Sequence, residues 1–281
     1  LLASSAASDV YKRQEKYFFG FFEVLRVKLR ASIVAKKYFR RKKSMSLLKF
    51  LAFAEAISEE TTELVSIIAI AAIAALAIIM LVICLTYKKM DTKAIVYAAI
   101  SIASAFVLSF IKVSPVTNGG SITLASFVPI LIYAYVYGPV RGLVAGLIFG
   151  VLQFIQSPYM LTPLTFVLDY LLAFAPIFLM GLARLVFKKE NTSIFAGTAA
   201  TYVIRFIVHF FSGLIYFQMG IITEGFPADS AAVYSLVYNL VYLVPDMIIT
   251  MVVLAVLVAT KNFPRLVRLM RPDFYAKNQE A

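Results

Sequence analysis

The chain has 281 residues, of which 62% are hydrophobic and 15% charged. A soluble domain carries about 25% charged residues, and here the apolar excess falls in blocks of roughly 20 residues, the length of a bilayer crossing. A soluble enzyme, a disulfide scaffold and a disordered chain are thereby excluded. The formal charge of +12 is unevenly placed, because residues 1–44 hold twelve Lys/Arg against three Asp/Glu and the remainder is close to neutral.

The basic segment ends at Arg40-Arg41-Lys42-Lys43, just before the first methionine, Met45. Its opening, LLASSAASDVYKRQ, resembles translated adapter sequence. The expectation is that residues 1–14 are artefactual, that 1–44 is a foreign or disordered basic segment, and that the native chain starts at Met45. A basic arm on the membrane surface, with Phe18, Phe19, Phe21 and Phe22 as its apolar side, is the alternative. Cys84 is the single cysteine, so no intrachain disulfide forms, and one His with one Cys excludes a His/Cys metal cluster. No G-x-x-x-x-G-K-[ST] run occurs, so ATP hydrolysis would have to reside in another chain.

Seven apolar segments follow in chain order: 64–87, 93–111, 122–137, 139–156, 163–187, 194–217 and 233–260. Continuous apolar runs without period-2 alternation select helices over a barrel. The fold class expected is an all-α integral membrane protein. Residues 45–90 would supply one extra N-terminal transmembrane helix, residues 91–262 a six-helix substrate-binding module, and 263–281 a cytoplasmic tail. Lys88, Lys89 and Lys93, then Arg141, then Arg184, Lys188 and Lys189, then Lys261, Arg265, Arg268 and Arg271 fall in every second loop. The positive-inside rule puts these loops and the C-terminus in the cytoplasm. The opposite loops carry Lys112, then no charge over 157–162, then Glu224 and Asp229.

Polar groups inside membrane spans are costly and need a reason. Asp169, Arg205, His209 and Asp246 stand out, and Arg205 and His209 share a helix face at a spacing of four. Each also has a structural reading. Asp169 with Arg205 would make an interhelical ion pair, His209 an interhelical hydrogen bond, and Asp246 a partner for Arg205 or for a carbonyl freed by Pro245. Gly142, Gly146 and Gly150 form two overlapping G-x-x-x-G steps suited to close helix approach, and Ala99 and Ala103 make a similar small face. Tyr133, Tyr135, Tyr137, Tyr159, Tyr170, Tyr216, Phe217, Tyr234 and Tyr238 lie near span ends. Most read as interfacial belt residues, and those beside Asp169 and His209 as walls for a flat, cationic ligand.

GGSITLASFVPI at 119–130, LDYLLAF at 168–174, RFIVHFFSG at 205–213 and YSLVYN at 234–239 occur in register through all six spans from 93 to 260. This pattern resembles the membrane-embedded S component of energy-coupling factor (ECF) transporters, most closely the thiamine-specific type. The resemblance implies a six-helix, non-enzymatic subunit of a bacterial cytoplasmic-membrane importer. It would bind thiamine from outside, with no cofactor and no nucleic acid. Its partners would be the lipid bilayer, a transmembrane coupling subunit and two cytoplasmic ATPases.

It also implies a substrate pocket of Tyr159, Asp169, Tyr170, His209, Phe217, Tyr234 and Asn239. Ala99 and Ala103 would meet the coupling subunit, while Gly142, Gly146, Gly150, Arg205 and Asp246 would be structural or coupling residues. Asp169 stands where the family can have Glu, and Phe217 where relatives can have Trp; the chain has no Trp at all. The chemistry of the ligand fits these residues. A carboxylate offsets the thiazolium cation or accepts from the aminopyrimidine, aromatic rings stack, and His209, Tyr234 and Asn239 offer directional hydrogen bonds. Two other readings stand beside this one: an ion-coupled secondary transporter with Asp169, His209 and Asp246 as a proton relay, and a non-transporting membrane scaffold.

Overall fold

The computed structural model describes residues 91–115, 120–223, 225–227 and 229–277. The basic segment 1–44, the 64–87 span and Cys84 lie outside the described residues. Helix α1 (Thr92–Ser109) opens on Asp91, whose carboxylate accepts from the Lys93 backbone N–H. A two-stranded antiparallel hairpin follows, β1 (Lys112–Pro115) with β2 (Ser121–Thr123). Then come α2 (Val128–Tyr137) and α3 (Pro139–Gln156).

The next crossing, Pro163–Val186, is not a uniform helix. It begins as α4 (Pro163–Phe166), where Thr162 and Thr165 exchange capping bonds. It widens to a π turn at Val167–Leu172, tightens to 3-10 at Ala175–Ile177, and resumes as α5 (Phe178–Val186). Two long helices complete the bundle, α6 (Glu190–Gln218) and α7 (Ala231–Ala259), the latter capped by the Ser230 hydroxyl. Short helices α8 (Asn262–Met270) and α9 (Phe274–Lys277) end the described chain.

Five helical segments among the described residues are long and apolar enough to cross a membrane: Thr92–Ser109, Pro139–Gln156, Pro163–Val186, Glu190–Gln218 and Ala231–Ala259. The expected span 122–137 is different. Its first part is strand and loop, with Ala125 in the left-handed region at φ 54°, and only ten residues are helical. At 1.5 Å per residue that helix is about 15 Å long, half of a bilayer core. Every residue of α2 except Pro129 is buried, so its apolar run serves a protein interior rather than lipid. Gly138, at φ 93°, turns the chain from α2 into α3.

The small-residue face of α3 is a packing surface. A Cβ on Gly142 would come within 2.6 Å of Ala134 Cβ, and one on Gly146 or Gly150 would overlap the carbonyl oxygen of Phe174 or Tyr170 respectively. At Gly150 the absent side chain lets the π turn lie directly against α3. Ala99 and Ala103 are exposed on α1.

Residues 263–277 fold back on the bundle instead of trailing away. Phe263, Val267, Met270 and Phe274 are buried. Tyr97 and Tyr137 donate to the Leu269 and Met270 carbonyls at 2.8 Å each. The Arg184 guanidinium lies 5.0 Å from the Phe274 ring centre, and Tyr275 donates to Glu190 Oε2 at 2.9 Å. Burial and Glu190 push the Tyr275 phenol above its ordinary range, so it stays a neutral donor. These contacts gather the start of α1, the end of α2, the α5–α6 turn and the end of α7 at one end of the molecule, the end that carries the basic loops.

Candidate functional site

At the opposite end, α3, the π turn, α6, α7 and the hairpin enclose a cavity of about 110 Å³. The π turn decides what reaches it. An extra residue per turn re-aims side chains, and such turns recur at functional sites; here the wide turn carries both Asp169 and Tyr170.

Asp169 Oδ1 lies 2.9 Å from His209 Nδ1, and Oδ2 accepts from the Ser212 hydroxyl at 2.8 Å. Arg205 Nε approaches His209 Nε2 at 3.4 Å as a donor. An Arg N–H can only donate, so Nε2 presents its lone pair and the imidazole proton sits on Nδ1, directed at Asp169. Ser212, His209 and Arg205 fall on one face of α6 by the three- and four-residue spacing.

Arg205 does not pair with a carboxylate among the described residues. Its guanidinium carbon lies 4.4 Å from the Phe127 ring centre and 4.6 Å from that of Phe174, beside this stacked ring pair, in cation–π contacts of about 0.5–2 kcal/mol each. The sequence reading offered Asp169 and Asp246 as its partners. The structure gives Asp169 to His209 and Ser212, and Asp246 to another set.

Asp246 is 3% exposed. Its Oδ1 accepts from the Thr123 backbone N–H and from the Thr123 hydroxyl, both at 2.9 Å, and its Oδ2 accepts from the Tyr202 hydroxyl at 2.7 Å. It ties the hairpin to α7 and α6, and it does not line the cavity. A relay through Asp169, His209 and Asp246 therefore finds its third member fixed elsewhere.

Of the residues expected in a pocket, Tyr159, Asp169, Tyr170, His209, Tyr234 and Asn239 all line this cavity. Phe217 is not among the lining residues; it packs behind Tyr234, ring centres 5.5 Å apart. Tyr170 donates to the Ser157 carbonyl at 2.7 Å and accepts from Tyr159 N–H, so it shapes the 157–159 loop. Tyr159 stacks on Tyr216 at 5.4 Å and 14°. Burial, with Tyr234 and Asp169 near, pushes the Tyr159 phenol up, so it remains neutral.

Both the N–H side and the carbonyl of the Asn239 amide are engaged. It donates to the His209 and Ser235 carbonyls and accepts from the Tyr242 hydroxyl at 2.9 Å. It thus fixes α6 against α7 behind the imidazole.

Other lining residues are Lys112, Gly120, Gln153, Gln156, Ser212, Tyr216, Tyr238 and Tyr242. Tyr238 accepts from the Gly120 N–H at 3.0 Å, closing the hairpin over the site. From sequence, Tyr216 and Tyr238 were two of the aromatic residues near span ends, not assigned individually to belt or pocket, and Ser212, Gln153 and Gln156 were not singled out. The three-residue offsets of Ser212 from His209, and of Gln156 from Gln153, were the available signals.

No curated protein sequence matches the chain. Among solved structures, one titled as the native-SAD phasing of ThiT from Listeria monocytogenes is similar, with a TM-score of 0.52 and 25% identity over 62% of this chain and 96% of that one. A family model described as "Thiamine transporter protein (Thia_YuaJ)" matches residues 95–265, more than half of the chain and every crossing described above. The chain therefore belongs to the thiamine transporter family, as a membrane protein.

Proposed function

We propose that the chain is the substrate-binding S component of an ECF-type importer, and that thiamine occupies the cavity around Asp169. The observation that carries this reading is the juxtaposition of one carboxylate, oriented by His209 and Ser212, with six lining tyrosines: Tyr159, Tyr170, Tyr216, Tyr234, Tyr238 and Tyr242. A flat cation needs a negative partner and π faces, and an aminopyrimidine needs acceptors for its amino group. In a site shielded from water, such matched partners reject ligands lacking them more than they add affinity.

The subunit itself performs no chemistry on the ligand, and the energy for uptake comes from two cytoplasmic ATPases acting through a transmembrane coupling subunit. The exposed small face at Ala99 and Ala103 is the surface offered to that subunit. The end bearing the basic loops and the C-terminus lies in the cytoplasm, which opens the cavity toward the outside of a bacterial cytoplasmic membrane.

The test is twofold. The purified chain, without ATP or partners, binds thiamine saturably in a calorimetric titration. In liposomes, uptake requires the coupling subunit, the ATPases and ATP. Uptake by the chain alone under a proton gradient would replace this reading with ion-coupled transport, and absence of binding would sink it.

A further inference from the structure

One polar cluster in the cavity wall has no part in the Asp169 arrangement. Gln153 and Gln156, near the end of α3, meet Ser109 at the end of α1. Gln153 Nε2 donates to Ser109 Oγ at 2.9 Å and to Gln156 Oε1 at 3.0 Å. The Ser109 hydroxyl lies 2.7 Å from Gln156 Oε1 and 2.6 Å from the Phe106 carbonyl. This uses both N–H groups of Gln153, while the single Ser109 O–H is shared between the Phe106 carbonyl and Gln156 Oε1.

What remains is one acceptor, Gln153 Oε1, and one donor, Gln156 Nε2, on two side chains that both line the cavity. Turning both amides over exchanges the two roles and leaves the same complementary pair. Both side chains are half-buried, so the two remaining groups face cavity space that water or a ligand group can occupy.

Resting on the thiamine reading above, we propose that Gln153 and Gln156 form a hydroxyl-selective subsite that binds the free alcohol of the ligand's hydroxyethyl arm. An alcohol, like the water it would replace, can meet both residues at once, giving its O–H to one amide oxygen and accepting from an N–H of the other amide. An ethyl arm leaves both unmatched. A phosphate ester sets anionic oxygens against the amide oxygen and supplies no full O–H at neutral pH. Lys112, exposed on the hairpin, and Arg205 are the cations bordering this cavity that would favour such an ester, so the phosphate enters the test directly. The subsite thus makes Gln153 and Gln156 specificity-determining residues, remote in role from the carboxylate that meets the cation.

The test is a calorimetric competition on the full chain at neutral pH, using thiamine, its analogue with ethyl in place of hydroxyethyl, and thiamine monophosphate. The wild-type chain binds the ethyl analogue about tenfold more weakly than thiamine, and the monophosphate at least as weakly as the analogue. Gln153→Leu and Gln156→Leu lower thiamine to the affinity of the analogue while leaving the analogue unchanged, which also shows that the variants are folded. Equal wild-type affinity for thiamine and the ethyl analogue, or a monophosphate bound as tightly as thiamine, overturns the subsite while leaving the Asp169 site standing. Failure of thiamine itself to bind overturns the underlying reading and the subsite with it.

Discussion

Asp169 and Asp246 are both carboxylates within apolar crossings, yet their surroundings differ in kind. Asp246 stands on a continuous α-helix, receives three hydrogen bonds from Thr123 and Tyr202, and faces no open space. Asp169 stands on a π turn, accepts one hydrogen bond from His209 and one from Ser212, and borders a cavity. The first carboxylate is spent on joining three elements; the second is oriented but has room beside it for a ligand. A buried charge in a membrane protein marks a cost that something must offset, and only its local geometry tells fastening from binding.

The contrast can be broken by mutation, and four substitutions grade it. Asp169→Ala carries the largest effect: thiamine affinity falls by about 100-fold or more, as for loss of a charged hydrogen-bonding partner in a dry site, while the thermal midpoint shifts little. Asp246→Ala does the reverse. It leaves the donors of Thr123 and Tyr202 unmatched and costs about 3 kcal/mol of stability, read as a lowered unfolding midpoint in detergent, while folded protein keeps thiamine affinity within about tenfold. Equal loss of affinity in both variants would erase the distinction.

Gly150→Ala comes next. The added methyl meets the Tyr170 carbonyl, so α3 and the π turn must separate, at about 1–3 kcal/mol, and titration shows a several-fold weaker site. Phe217→Leu is the smallest, with affinity changed by less than about threefold, because the ring lies behind Tyr234 rather than on the cavity surface.

Much of this site was legible because membrane spans make polar residues conspicuous. Asp169, His209, Tyr170 and Asn239 are visible against apolar neighbours, and the spacing of Arg205 and His209 already put them on one face. Pairing was not legible. Two acids and one Arg invite an ion pair, but the structure sets Arg205 against the stacked Phe127 and Phe174 rings and satisfies both carboxylates with neutral donors.

Hydropathy alone did not show how 122–137 divides into strand, loop and a short helix, since a buried interior helix and a lipid-facing one look alike in composition. The π turn has no sequence signature comparable to a capping residue. It follows from the close approach that Gly150 permits and from Pro176 downstream, which together reward an irregular backbone at this level. Gln153 and Gln156 escaped notice because a pair of amides near a helix end ordinarily faces water, whereas here the end of α1 supplies Ser109 opposite them.

The central claim is that thiamine binds against the Asp169–His209 pair, and the chain offers a direct reporter of it. His209 is the only histidine, so a full chain labelled with 15N-histidine gives a single imidazole to observe. Before ligand is added, the imidazole should show a neutral ring protonated at Nδ1. On titration with thiamine, both ring nitrogens should shift saturably, with the same midpoint as calorimetry. Calorimetric binding that leaves both imidazole signals unmoved would contradict the account.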